Sequence, residues 1–173
     1  FKVIPENSSR IAALLAGDVE IATEVPVHMM KQIEANKNTH VAKVNGTRSF
    51  FIALNNTKPP FDNVLVRRAA NHALDKKLII DRILQKTATP INGVLSPDAF
   101  GFDATLPAYE YDLAKAKKLL AQAGYPNGID VTLDAEGAFS EMAQAIGSLL
   151  TKAGFRTKVL VGEGSMIRDK WDP

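Results

Sequence analysis

The sequence predicts an α/β protein, a mixed sheet with flanking helices. Apolar residues recur at helical spacing in several separate stretches. Short β-type runs lie between those stretches. Toward the C-terminal part, a strand, a helix and a second strand succeed one another within about 30 residues, the length of a parallel βαβ unit.

At the N-terminal end, Phe1–Ile4 reads as a short strand. Asn7, Ser8 and Ser9 are capping residues ahead of a helix that runs through Ile11, Leu14 and Leu15 and stops at Gly17. Asp18–Ile21 alternates polar and apolar, as a half-buried strand does. Val25 and Pro26 turn the chain into a helix through Met29, Met30 and Ile33. His40–Asn45 and Ser49–Asn55 read as two strands around a turn at Gly46. The second is apolar on both faces, with Phe50, Ile52 and Leu54 on one and Phe51 and Ala53 on the other, which suits the middle of a covered sheet.

Pro59 and Pro60 forbid helix, and Asp62 or Asn63 can cap the next helix. Val66, Ala69, Ala70, Ala73 and Leu74 form one helical stripe. Asp75 caps a continuation through Ile79, Ile80, Ile83 and Leu84. From Thr87 to Pro107 the chain has no sustained period, which predicts a long wrapping loop. Then a heptapeptide pattern occurs twice, Leu119–Tyr125 and Leu149–Phe155, each a helix end with glycine at the left-handed position, leading into a strand. The strands are expected at Val131–Asp134 and Lys158–Val161. Phe139, Met142, Ala143, Ile146, Leu149, Leu150 and Ala153 mark the helix between them.

Composition narrows the function. The chain has 173 residues, enough to bury a core unaided, and 21 Lys+Arg against 19 Asp+Glu. The charge is also balanced locally: 7 basic and 5 acidic residues in 1–60, 6 and 6 in 61–111, 8 and 8 in 112–173. No basic stripe exists to hold nucleic acid. The absence of cysteine excludes thiol catalysis and disulfide scaffolds. No apolar run reaches the length of a membrane span. The chain opens on Phe1 inside an apolar run and ends on Trp171-Asp172-Pro173, and it is expected to be an excised piece of a longer protein.

Catalytic motifs are missing: no nucleophile elbow, no zinc-protease helix, no phosphate loop. Gly162-Glu163-Gly164 begins like a dinucleotide fingerprint, but Ile167 stands where the third glycine belongs, so a turn after a strand is the better reading. His28, His40 and His72 share no ligand spacing; Met29 and Met30 read as core filler and His72 as a packed helix residue. Asp18 and Glu20 read as solvated edge charges. Arg67-Arg68 and Lys115, Lys117 and Lys118 lie opposite apolar stripes, on solvated helix faces.

Three motifs carry a resemblance. Asn55–Asn63, with its Pro59-Pro60-Phe61-Asp62 run, together with Val66–Lys76 closely resembles the signature of the extracytoplasmic solute-binding proteins of family 5, the peptide-, dipeptide- and nickel-binding components of bacterial ABC importers. Ala13–Ile21 is similar to that family's upstream segment, and Tyr111–Pro126 to its downstream one. The motifs stand in the family's order and cover nearly the whole chain. Glu20 departs from the family's usual Asp.

The resemblance implies a lobe of a type II periplasmic-binding-protein clamp. Residues 1–173 would be a single lobe, most of the second, C-terminal one, with the N-terminal lobe, the hinge return and a later ligand-contacting segment outside it. It implies a periplasmic protein (extracellular and lipid-anchored in a Gram-positive source), monomeric, with no cofactor and no metal. That protein captures a peptide or related small solute and hands it to a membrane ABC permease, with no enzymatic step. A second reading is the effector-sensing domain of a transcription regulator built on the same fold. In open α/β sheets, ligands sit beyond the carboxyl ends of the strands. Here those ends are the turns Ala135–Ser140 and Gly162–Ser165. The resemblance also places contacts near the strand before the Pro-Pro motif, and it implies Gly46, Arg48 and Phe51 there as ligand contacts, with Phe139 and Gly164 in the turns. Phe51 is equally readable as core.

Overall fold

A computed structural model describes residues 1–44 and 46–170. The chain divides into two compact units, residues 1–46 and residues 47 onward.

The first unit is built on α1 (Asn7–Ala16) and α2 (Met30–Ala35), the latter entered through a 3-10 turn at Val27–Met29. Ile11 and Ile33 are its buried side chains. The cap of α1 lies one residue earlier than the sequence suggests. The Ser9 amide donates to the Glu6 carboxylate, 2.9 Å away, because a carboxylate on the longer Glu arm reaches back over the first turn. Gly17 closes the helix in the left-handed conformation, φ +81°. Arg10 fastens the flanking chain to α1: its guanidinium donates to the carbonyls of Ile4, Thr23 and Glu24 and to Asn7 Oδ1.

The strands expected at Phe1–Ile4, Asp18–Ile21, His40–Asn45 and Ser49–Asn55 do not form among the described residues; Asn45 lies outside them. A strand is defined by a ladder partner, and these segments find none there. Ile52 and Leu54 are half-buried, whereas Phe51 and Ala53 are exposed, so the alternation holds without the ladder.

The second unit holds α3 (Val64–Ala73), α4 (Lys76–Arg82), α5 (Leu113–Gln122), β1 (Ile129–Glu136), α6 (Ser140–Ala153), β2 (Phe155–Gly162) and α7 (Gly164–Arg168). Asn63 caps α3 by accepting from the Leu65 amide, and Asp75 caps α4 by accepting from the Leu78 amide. The anticipated stripe is the core: Val66, Ala69, Ala70 and Ala73 of α3 meet Ala116 and Leu120 of α5, Leu150 and Ala153 of α6, and Phe155. Alanines at the α3–α5 contact remove side-chain bulk and let the helices approach closely.

β1 and β2 pair in parallel, from Ile129 against Phe155 to Glu136 against Gly162. The βαβ unit is as expected, though each strand is longer than the sequence suggests. Gly124 and Gly154 both take the left-handed conformation, as the repeat implies. Gly128 supplies a further left-handed turn, φ +82°, and a Cβ there would lie 2.4 Å from the Gly154 carbonyl oxygen. That close approach lets the Ile129 amide donate to Gly154 and start the ladder at the first residue of β1. One face of the pair, with Val131, Leu133, Thr157 and Val159, is half-buried, on the side where α6 approaches through Gly147. The opposite face carries Asp130, Thr132, Arg156 and Lys158, all exposed.

The loop over Thr87–Pro107 has no helix or strand, as anticipated. Side chains hold it: Lys76 Nζ donates to the Ile91 carbonyl, Asn92 to Leu106, and Ser49 Oγ to Val94. His72, a packed helix residue as expected, is 6% exposed and fixes the segment just after the loop through Glu110.

Candidate functional site

The carboxyl ends of β1 and β2 are Glu136 and Gly162, paired across the ladder. β1 passes through a 3-10 turn, Gly137–Phe139, into α6, and β2 passes through Glu163 into α7. A crossover helix must return over the sheet, so these turns bring both helix starts to one edge of the unit.

Phe139 stands at the junction of the 3-10 turn and α6. Its ring meets Phe50 edge to face, centroids 5.4 Å apart at 66°. The Arg48 guanidinium carbon lies 5.3 Å from the Phe50 centroid and 5.9 Å from that of Phe139. The three groups form a nearly equilateral triangle, a cation held by the negative faces of two rings. Arg48 and Phe50 lie two residues apart in the chain, and both side chains meet the Phe139 ring. Among the described residues Arg48 makes no hydrogen bond and no ion pair.

Of the five expected contacts, the structure brings Arg48 and Phe139 together. Phe51 is 65% exposed, so it is not core, and it points away from the half-buried side of its segment. Gly164 opens α7 and lies against Glu136: a Cβ there would be 2.7 Å from Glu136 Oε1. Gly46 belongs to the first unit and is exposed. Sequence reasoning missed Phe50, assigned to one of the two apolar faces of a covered strand, and did not mark Glu136, the neighbour of Gly164. The Arg-x-Phe spacing was a signal for Phe50. Nothing local marks Glu136.

Among the described residues, no cluster of His, Asp and Glu gathers to hold a metal ion, and no helix is long and apolar enough to cross a membrane.

This architecture is that of extracytoplasmic binding proteins. The Helicobacter pylori ABC transporter-associated periplasmic binding protein DppA, solved with the peptide STSA, superposes with a TM-score of 0.87 at 34% identity, over 96% of this chain and 33% of that one. The Bacillus subtilis oligopeptide-binding protein AppA, solved with a nonapeptide, gives 0.82 at 26% identity, over 99% and 37%. In sequence, Heme-binding protein A of Haemophilus influenzae is 36% identical over 128 residues, 74% of this chain and 23% of that protein. Glutathione-binding protein GsiB of Escherichia coli K12 is 32% identical over 133 residues, 77% of this chain and 26% of that protein. The chain thus spans about a quarter of the length of these two relatives. The model of the bacterial extracellular solute-binding proteins, family 5 Middle, matches residues 1–172, and the chain belongs to that family.

Proposed function

We propose that this chain is most of one lobe of a two-lobed solute-binding protein, which captures a peptide or related small solute between its lobes and delivers it to a membrane ABC permease. The protein works outside the cytoplasm, as a monomer, and makes or breaks no bond in its ligand. The observation that carries this reading is the family match over residues 1–172, joined to the close likeness to a peptide-bound receptor. The heme-, glutathione- and peptide-binding relatives give the regulator reading no support.

The ligand contacts in the second unit are Arg48, Phe51, Phe139 and Gly164, joined by Phe50. The exposed Phe50 ring and the half-buried Phe139 ring, beside an uncommitted cation, suit a solute with both apolar and polar parts. Affinity comes from enclosure by two lobes, so a lone lobe binds poorly. The test is mass spectrometry of the solute that co-purifies with the full-length protein, then calorimetry on both forms. The expected result is a small solute bound tightly by the whole protein and more weakly than about 1 mM by the isolated lobe. Micromolar binding by the lobe alone overturns the clamp mechanism.

A further inference from the structure

We infer that the groove between α4 and α6 is a second binding site, apart from the strand-end edge, and that it takes a single-chain amphipathic carboxylate of the fatty-acid class. The inference does not depend on the solute-capture reading above.

The groove encloses about 210 Å³. Its floor is apolar: Ile79 and Leu149 are buried, Ile83 is half-buried, and Leu78 opens to solvent at 42% exposure. Its rim is cationic, with Arg82 from α4 and Lys152 from α6 both exposed. No acidic residue lines it. Among the described residues neither cation has an ion-pair partner, and Asp81, beside Arg82 in the chain, is engaged by Lys77.

Both cations stand in the last turn of their helix, where the macrodipole alone favours positive charge. The dipole does not account for the apolar floor that they flank. Floor and rim together match a ligand with an alkyl chain and one anionic head. The Arg82 guanidinium offers a fork of N–H donors that a carboxylate takes through two parallel bonds, and Lys152 adds a second positive charge. Each methylene laid on the floor and removed from water is worth about fourfold in affinity.

Size points the same way. Pockets for drug-sized ligands enclose about 300–1,000 Å³, so this smaller groove suits one chain. A stable protein partner buries about 800 Å² per side, out of reach for a groove with the seven-residue α4 as one wall. The groove also lies apart from the solute edge. α6 starts at that edge with Ser140, and Lys152 is about 18 Å further along the helix.

The experiment uses the full-length protein and three probes below their micelle concentrations: decanoate, decyltrimethylammonium and acetate. Binding is read by equilibrium dialysis. The expected result is that decanoate binds about tenfold or more tighter than the cationic probe, the worth of a charge-assisted contact, and that acetate, which has no chain, binds more weakly than about 1 mM. The double variant Arg82→Ala, Lys152→Ala brings decanoate and decyltrimethylammonium close to equal. Ala145→Phe fills the α6 wall of the groove and weakens both chain-bearing probes. Arg82 and Lys152 are exposed, so thermal unfolding of the double variant should match the parent and separates lost binding from lost folding. Whatever solute co-purifies with the parent should stay bound in the double variant, which tells this groove from the solute site.

Equal binding of decanoate and decyltrimethylammonium by the parent overturns the inference, and so does decanoate binding no tighter than about 1 mM. Undiminished decanoate binding in the double variant overturns the assignment to this groove. Flotation of the parent with phosphatidylglycerol vesicles, without binding of monomeric decanoate, assigns the rim to a membrane surface and overturns the inference as well.

Discussion

Gly147 of α6 faces Val159 of β2 so closely that a Cβ at position 147 would lie 2.7 Å from Val159 Cγ2. The βαβ unit therefore has glycine at the point where its helix crosses its sheet. Gly147→Ala gains helix propensity of about 1 kcal/mol but forces a stiff β-branched neighbour to move, and overpacking of this kind costs about 1–3 kcal/mol. The net expectation is a loss of about 1 kcal/mol, read by chemical denaturation. Val159→Ala in the same background should recover part of it, because the clash is then relieved.

On the other face of the sheet, Asp130 and Arg156 are register partners and meet in a two-pronged pair, 2.7 Å and 2.9 Å. The Arg156 hydrogen bonds hold the Asp130 carboxyl below its ordinary range. A carboxylate with a depressed folded-state pKa stabilises above its unfolded value, and the contribution is lost as pH falls through the folded one. Asp130→Asn should therefore lower the unfolding temperature slightly at neutral pH, with the gap to the parent closing in acid, below about pH 4. Both groups are exposed, so the gap should also shrink with added salt. A gap that widens in acid contradicts this assignment.

His72 joins α3 to the segment entering α5. Its Nδ1 lies 2.7 Å from the Glu110 carbonyl, which can only accept, so the ring nitrogen carries the hydrogen. The ring also meets Tyr109 edge to face at 5.3 Å. His72→Phe keeps an aromatic ring and loses the hydrogen bond to Glu110, for a cost of about 0.5–1.5 kcal/mol. His72→Ala loses both and should cost more. Denaturation gives the magnitudes, and faster proteolysis within residues 87–112 would locate the loosened segment.

The helices were legible because their signals are local. The stripe at Val66, Ala69, Ala70 and Ala73 needs only helical period, and Asn63, Asp75, Gly124 and Gly154 act on amides and carbonyls within a turn. The β-type runs were not a sufficient signal. Phe50–Leu54 has the composition of a strand, but a ladder needs a second segment, which the run itself does not specify. The same limit governs the site. The positions of Arg48 and Phe139 come from strand ends and motif order, whereas Phe50 against Phe139 is a contact between distant parts of the chain. Periodicity assigned Phe50 to a buried face, yet it is 47% exposed and serves the cluster.

Asp112 completes the junction that His72 anchors. Its side chain caps α5 by accepting from the Lys115 amide at 2.8 Å, while its own amide donates to the His72 carbonyl at 2.9 Å. Asp112→Ala should cost about 1 kcal/mol through the lost cap, and Asp112→Asn much less, because Asn caps as well. The backbone bond to His72 survives either change, so its geometry depends on how both residues are held. His72→Ala and Asp112→Ala should consequently not add. Once the ring no longer holds Glu110, the chain entering α5 is already displaced, and removing the cap has less left to disturb. The double variant should fall short of the sum by about 0.5 kcal/mol or more, beyond the additivity expected of independent sites. Simple additivity in a denaturation cycle would mean that cap and anchor act separately.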